Sequence, residues 1–331
     1  MKKIANQKKI SFFKRKFIQL CRKLGYEIID QNLFIIPTLN KNLDESLSIP
    51  GDKSISIPLG EIKITRKVTS LHIYFRSCSK THLWKQNKKR IFDQPKYEYV
   101  LRSLNSLLKS MSVAKKIMSN VDFNITVIDD NSEESVIEKI KILLEKHNFK
   151  NSLIKLDSVE FSDKTQDSNF ASIYKSYLLA NDESKDLIYF VEDDYIHENT
   201  AIKEMLLSYE RIASQLNKEI IMFSVDYPYL YAQPSSTFIL LGDKKHWRKI
   251  DQSLATLLIS KKHFKKYWNN FLEFATTVNN PAEKPLHTVY EKEDCFSPIP
   301  SLAVHCTNVN SIYGLSPNMN WKKLWDENGD Y

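Results

Sequence analysis

Short apolar runs alternate along the chain with segments in which apolar residues return at helical spacing. From residue 71 onward, these segments repeat apolar residues every three or four positions, as Tyr97, Leu101 and Leu104 do. Strands that alternate with helices of ten or more residues form βαβ units. The pattern predicts an α/β fold with a mostly parallel central sheet and helices on both faces. The predicted strands are 71–75, 123–128, 152–156, 187–191 and 219–225.

Polar and acidic residues follow four of these predicted strands. The carboxyl ends of parallel strands meet at one edge of the sheet, and an open α/β sheet binds its ligand at that edge. We therefore expect the following side chains to form one rim. The rim residues are Arg76 after the first strand, Asp129 and Asp130 after the second, Asp157 after the third, and Glu192, Asp193 and Asp194 after the fourth.

The three consecutive carboxylates at 192–194 predict a cation site. In an extended segment Glu192 and Asp194 point to the same side and Asp193 points to the other. So many carboxylates repel one another unless positive charge lies among them. Oxygen ligands suit Mg²⁺ or Mn²⁺, and such an ion keeps free positions for phosphate oxygens. The alternative is a solvated acidic turn after a buried strand.

Two acidic motifs give the chain a family resemblance. The segments VIDDNSEESV (127–136) and YFVEDDYIHENTAI (189–202) resemble those of the GT-A fold nucleotide-diphospho-sugar glycosyltransferases, in particular the family 2-like group. The resemblance extends over roughly residues 70–310. It implies a GT-A sheet that binds a nucleotide-sugar donor through a metal ion.

The resemblance also implies a role for each rim residue. Asp129 and Asp130 would contact the nucleoside, and Arg76 would contact the base or the diphosphate. Glu192 and Asp193 would line the ribose and diphosphate, while Asp194 would coordinate the ion. One departure is that the first acid of the second motif is Glu192 and not Asp. Direct coordination of the ion by Glu192 is therefore not expected.

The C-terminal third contributes a candidate metal ligand and candidate bases. In members of the resembled family a C-terminal His completes the metal shell, which implies this role for His305, and a nitrogen ligand favours Mn²⁺ over Mg²⁺. An inverting enzyme needs a carboxylate that takes the acceptor proton. Glu293 and Asp294 in YEKED (290–294) are the candidates, with Asp226 as an alternative.

Trp247 is a candidate acceptor contact. It stands among Lys245, His246 and Arg248, and aromatic residues beside polar groups are typical of sugar-stacking surfaces. The alternative for Trp247, as for most aromatic residues, is a place in the core. The alternative for His305 is likewise a buried or surface histidine without a ligand role.

The net charge of +8 comes from the N-terminal arm, residues 1–30. Nine Lys or Arg and no acid occur in residues 1–24, which leaves 39 bases against 40 acids in the rest. Ile10, Phe13, Phe17, Leu20 and Leu24 share one helical face. The arm is thus predicted to be a basic amphipathic helix that either packs on the body or lies on an anionic membrane. Nucleic acid is not expected as a partner, because the body has no basic stripe with interleaved aromatics.

The residue composition and the motifs that are present or absent suggest the compartment and the domain limits. The four Cys are widely spaced and form no zinc pattern, as expected of free thiols in a reducing, cytoplasmic compartment. Only 6 Gly occur, and neither GxGxxG nor GxxxxGK[ST] is present, which argues against Gly-rich phosphate loops. We expect a linker or small β element at 31–70 and a GT-A domain at 71–331. Its nucleotide-sugar half would be 71–198 and its acceptor half 199–331.

The predicted function is a metal-dependent, inverting glycosyltransferase. It would move a sugar from a nucleotide-sugar donor to a glycan or lipid-linked acceptor in bacterial surface polysaccharide biosynthesis, on the cytoplasmic face of the membrane. Two alternatives stay open: a sugar nucleotidyltransferase, and a non-catalytic module that binds nucleotide or glycan. The nucleotidyltransferase is expected to carry a Gly-rich phosphate loop near the first strand, where the chain has only FRSCSKTHL (75–83).

Overall fold

The computed structural model describes residues 12–26, 54–57, 60–80, 90–232, 236–279 and 281–331. They fall into two units, residues 1–64 and 65–331. In the first unit α1 (Phe12–Lys23) is helical, as the apolar stripe predicts, and strands β1 (Ser54–Ile57) and β2 (Gly60–Lys63) pair antiparallel. Residues 1–11, 27–53 and 58–59 of the predicted arm and linker lie outside the described residues. No helix in the described ranges combines the length and apolar character needed to cross a bilayer.

The second unit carries the sheet. Its strands are β3 (Ser70–Ser77), β4 (Asp122–Asp129), β5 (Lys150–Lys155), β6 (Leu187–Glu192), β7 (Tyr195–His197), β8 (Ile221–Met222), β9 (Ile239–Leu241), β10 (His246–Ile250), β11 (Leu257–Ser260), β12 (Cys295–Ile299) and β13 (Ala303–His305). Its α-helices are α2 (Lys96–Ile117), α3 (Glu134–Glu145), α4 (Ser168–Glu183), α5 (Ala201–Leu216), α6 (Lys261–Lys266), α7 (Trp268–Thr276), α8 (Lys284–Lys292) and α9 (Trp321–Asp326).

The main sheet has the strand order β5-β4-β3-β6-β11-β8-β12-β10-β9. β5, β4, β3 and β6 are mutually parallel, and β12 pairs parallel with β8. β11 runs antiparallel to both β6 and β8, and β10 runs antiparallel to both β12 and β9. Within this nine-stranded sheet, only β11 and β10 run opposite to β6. The predicted α/β class with a mostly parallel sheet is confirmed, and the two reversed strands are an addition that the apolar runs did not predict.

The unbroken apolar run of β6 reflects burial of the sheet on both faces. Leu187, Tyr189 and Val191 pack into one core with α2, α3 and α5, while Ile188 and Phe190 pack into another with α4, α6, α7 and α8. Alternate residues of a strand point to opposite faces, so a strand covered on both sides is apolar throughout. Each such side chain contributes roughly 1.5–3 kcal/mol by leaving water. The carboxylates begin where this double cover ends.

A small ribbon next to the sheet fixes the segment after the carboxylates. β7 follows them directly and pairs antiparallel with β13, so that Tyr195 lies opposite His305. The backbone N–H of Cys306 donates to the carbonyl oxygen of Asp194 at 2.8 Å. The ribbon thus brings the C-terminal segment to the end of β6. The predicted strand at 219–225 is shorter than expected, since only Ile221–Met222 pair as β8.

Candidate functional site

The three carboxylates line a cavity of about 460 Å³ at the carboxyl end of β6. The ends of β3, β6 and β13 and the N-termini of α2, α4 and α8 contribute to its wall. A second cavity of about 600 Å³, at the ends of β4 and β5, shares Cys78, Asp130 and Ser168 with the first. The predicted rim is therefore a continuous concave surface that extends over several strand ends.

Each carboxylate of 192–194 is paired with a cation of the chain. Arg76 donates to Glu192 at 2.5 Å, and Lys96 donates to Asp193. His305 Nε2 lies 3.4 Å from Asp194 Oδ2. These cations come from β3, from the first turn of α2 and from β13. The negative charge that predicted a divalent ion is thus already compensated, so the fit of a metal has to be judged from the ligand atoms.

The pKa values differ along the triplet according to these partners. Burial alone would raise the pKa of Asp194, but His305 and Lys96 hold it below its ordinary value. Burial raises the pKa of Asp193 beyond what Lys96 and the backbone N–H of Cys78 offset. Burial lowers the pKa of His305, yet Asp194 brings it above its ordinary value. Asp194 and His305 thus each favour the charged form of the other.

The Asp194–His305 pair also has the atoms that a metal ion requires. Asp194 Oδ1 is buried and makes no well-formed hydrogen bond, although the Thr307 hydroxyl is close enough to the carboxylate to help lower the pKa of Asp194. His305 Nδ1 donates to the carbonyl oxygen of Tyr313 at 2.8 Å, which orients Nε2 toward Asp194. Among the described residues no three His, Cys, Asp or Glu side chains converge on one point. The pair therefore fits an ion that takes its other ligands from phosphate and water, as Mg²⁺ and Mn²⁺ do.

The two adjacent acids at the end of β4, Asp129 and Asp130, differ in the hydrogen bonds that their carboxylates already make. Asp129 Oδ1 accepts from Ser77 Oγ at 2.8 Å, and its Oδ2 accepts from the backbone N–H of Ser132 at 3.0 Å. These bonds close the turn in which Asn131 adopts a positive φ of 60°. Asp130 lines both cavities, and burial raises its pKa. Asp129 holds the turn and lines the second cavity, so both acids remain candidates for contact with a ligand.

Glu293 and Asp294 lie away from this surface. They directly precede β12, which runs in the same direction as β6. They are therefore at the amino edge of the sheet, opposite the rim. Lys266 Nζ lies 2.6 Å from Glu293 Oε1, and Lys249 Nζ lies 2.6 Å from Asp294 Oδ1. The prediction that one of them is the catalytic base loses its geometric basis.

Trp247 and Asp226 also fall outside both cavity walls. Trp247 is a residue of β10, and its side chain is completely buried in the core. Its indole Nε1 is 3.4 Å from Glu204 Oε1. It has no free face for a sugar, which corrects the prediction of an acceptor contact. Asp226 is at the correct edge of the sheet but is paired with Arg248 at 2.6 Å.

Glu283 is a cavity residue that the sequence analysis missed. It is the N-cap residue of α8, and no hydrogen bond or ion pair to its carboxylate occurs among the described residues. Every other carboxylate that the described residues contribute to the first cavity has a partner: Asp130 has Ser168, Asp167 has the N–H of Phe170, and the triplet has its cations. The signal that could have found Glu283 is the helix start, an acid followed by Pro285 in the first turn.

Comparison with known proteins finds neither a matching family model nor a matching curated protein. A structure of TarS from S. aureus is similar at 12% identity and a TM-score of 0.40, covering 69% of this chain and 35% of that chain. The inositol-1-phosphate CTP transferase of T. maritima is similar at 12% identity and a TM-score of 0.42, covering 80% and 98%. The galactosyltransferase LgtC, in complex with donor and acceptor sugar analogs, is similar at 12% identity and a TM-score of 0.35, covering 68% and 72%. At these TM-scores the similarity assigns no role to any residue.

Proposed function

We propose that this protein is a metal-dependent glycosyltransferase that moves a sugar from a nucleotide-sugar donor to an acceptor hydroxyl. The Asp194–His305 pair carries this proposal. It combines a buried carboxylate, of which Oδ1 makes no well-formed hydrogen bond, with an oriented imidazole nitrogen at the carboxyl end of β6. An inert acidic turn would satisfy or solvate that oxygen, because an unpaired buried polar atom is costly.

The lining of the first cavity combines polar and apolar residues, which suits a donor and an acceptor. Among the polar residues, Asp130 also lines the second cavity, and Asp130, Arg76 and the triplet would take the nucleotide. Apolar lining is expected of a surface that packs against the C–H face of a sugar ring. The apolar lining residues are Phe170, Ile173, Leu254, Ala255, Phe274 and Ala282.

Transfer requires one proton acceptor and compensation of the charge on the leaving group. Mn²⁺ or Mg²⁺ at Asp194 and His305 would stabilise negative charge on the leaving diphosphate. Glu283 would take the proton of the acceptor hydroxyl, whose oxygen bonds to the anomeric carbon as the bond to the phosphate oxygen breaks. A single displacement of this kind inverts the anomeric centre. Glu283 replaces Glu293 and Asp294 in this role.

A nucleotide panel tests the proposal. Calorimetry with UDP, GDP, ADP and CMP, each with and without Mn²⁺, should show one nucleotide whose binding requires the ion. That nucleotide also identifies the base of the donor. Absence of binding across the panel would contradict the proposal and favour a non-catalytic module. Release of pyrophosphate from a nucleoside triphosphate and a sugar phosphate would instead identify a nucleotidyltransferase.

The N-terminal arm supports a membrane-borne acceptor within the same proposal. α1 carries bases throughout and no acid, with Phe13, Phe17 and Leu20 on one face. Such a helix binds anionic lipid by combining charge with apolar insertion. We propose that the arm holds the enzyme on the inner face of the membrane, where a lipid-linked acceptor for surface polysaccharide would be found.

Liposome sedimentation tests the role of the arm. The full chain should bind vesicles containing anionic lipid and should bind neutral vesicles poorly. Each Lys or Arg near the surface contributes about 1 kcal/mol, so Arg15→Gln and Lys16→Gln should each lower the partition coefficient roughly fivefold. Lys116→Gln, an exposed site on α2, removes the same charge outside the arm and serves as the control. Equal binding of both kinds of vesicle would refute membrane attachment through charge.

A further inference from the structure

Among the described residues that line the first cavity, one cation has no acidic partner. Its cationic side chains are Arg76, Arg90, Lys96 and His305. Arg76, Lys96 and His305 each pair with a member of the carboxylate triplet. For Arg90, no ion pair or hydrogen bond of the guanidinium occurs among the described residues, and its Nε is buried without a partner.

The fold holds Arg90 in this position from two sides. Its backbone forms an isolated antiparallel bridge with Thr307, and the N–H of Ile91 donates to the carbonyl oxygen of Cys306 at 3.0 Å. Its guanidinium carbon lies 5.4 Å from the centre of the Tyr99 ring. Tyr99 itself is fully buried on α2. The bridge therefore ties Arg90 to the segment that follows His305, and the ring supports the guanidinium plane.

Lys96 places a second positive charge near Arg90. It is the first residue of α2 and lines the same cavity. Arg90 is close enough to oppose the charge on Lys96, while Asp193 favours it. An ammonium has three N–H donors, and the contact with Asp193 accounts for one of them. The end of the cavity next to the Asp194–His305 pair thus has more positive than negative charge available to a ligand.

We propose that Arg90 and Lys96 form a phosphoryl-binding pair, in which Arg90 contacts the phosphate oxygens of the donor directly and Lys96 adds positive charge beside it. This inference rests on the proposed function and assigns the diphosphate contact to residues outside the acidic motifs. A guanidinium offers a planar fork of N–H donors that matches two phosphate oxygens. A buried guanidinium edge that lacks a protein acceptor is satisfied when such a ligand binds. Sugar hydroxyls would not compensate its charge.

Calorimetry with three probes tests the pair. The probes are the nucleoside diphosphate that the wild type binds, the corresponding nucleoside, and inorganic pyrophosphate, each in the presence of Mn²⁺. Arg90→Gln should weaken binding of the diphosphate and of pyrophosphate roughly 10- to 100-fold, because it removes a charged hydrogen bond. Nucleoside binding should be unchanged. Arg90→Lys should be intermediate, since it keeps the charge and loses the fork.

Lys116→Gln is the matched control, because it removes one exposed positive charge from the far end of α2. It should leave all three affinities unchanged. The pair is refuted if Arg90→Gln binds the diphosphate as tightly as the wild type, or if it weakens nucleoside binding equally. If the wild type binds pyrophosphate through Arg90 but binds no nucleotide, the pair stands and the proposed function fails. If the wild type binds neither the nucleoside diphosphate nor pyrophosphate, the phosphoryl-binding pair and the proposed function are both refuted.

Discussion

Asp194→Asn should lose metal-dependent nucleotide binding by more than about 100-fold. Residues that merely support a metal ligand already change metal affinity by roughly 10- to 100-fold when replaced, and this substitution removes a proposed ligand charge. Asn keeps the shape of the side chain, so the effect is on the ion and not on packing. The measurement is calorimetry of the selected nucleotide with and without Mn²⁺, where only the metal-dependent part of the affinity should disappear.

Two controls separate this result from unfolding. Asp163→Asn changes an exposed acid outside both cavities and should behave as the wild type. His305→Gln should reproduce the loss, because its Nε2 faces the same carboxylate at 3.4 Å. If Asp194→Asn lowers the melting temperature but retains metal-dependent binding, the pair is a structural ion pair and the metal site is elsewhere.

The part of the site that the sequence predicts is the part made by consecutive parallel strands. β3, β4 and β6 lie next to one another, so Arg76, Asp130 and Asp194 are brought to one edge by strand direction alone. Local pattern is sufficient there, because a βαβ crossover has a fixed hand and returns each strand in the same direction. The predicted acidic rim follows from this rule without knowledge of any contact.

The predictions for Glu293, Asp294 and Trp247 are wrong because they depend on strands whose direction is set by pairing with strands far away in the sequence. Glu293 and Asp294 form an acidic group in the sequence, but β12 starts directly after them and runs toward the rim, which leaves them at the opposite edge. Nothing local indicates the direction of β12, because it is set by pairing with β8 and β10. Trp247 was misplaced for a related reason: its position in β10 turns the indole inward, while the charged neighbours suggested a surface.

The missed residues are also placed by long-range contacts. Arg90 reaches the cavity through its bridge to Thr307, which is more than 200 residues away in the chain. Glu283 reaches it because the N-terminus of α8 lies at the cavity wall. Glu283 belongs to no acidic motif, and the short basic run that ends at Arg90, KKR (88–90), does not indicate what Arg90 contacts. Their roles depend on having no partner, which is a property of the folded chain.

Glu283→Gln should lower the turnover number roughly 10²- to 10⁴-fold, the range that general base catalysis supplies. Gln has nearly the same size and cannot accept the proton, so nucleotide binding should be unchanged. Hydrolysis of the nucleotide sugar to the nucleoside diphosphate provides the readout, with water as acceptor. A loss of turnover at unchanged affinity distinguishes a base from a residue that only shapes the cavity.

The acidic residues further along α8 and after it provide controls for the same experiment. Glu291→Gln alters an exposed acid of α8 and should keep wild-type turnover. Glu293→Gln should also keep turnover per folded molecule, because Glu293 accepts from Lys266 and Tyr267 at the far edge of the sheet. The reverse outcome, an active Glu283→Gln and an inactive Glu293→Gln, would require the chemistry to take place at the amino edge. The base would then have to act without the Asp194–His305 pair, because that pair lies at the opposite edge of the sheet from Glu293.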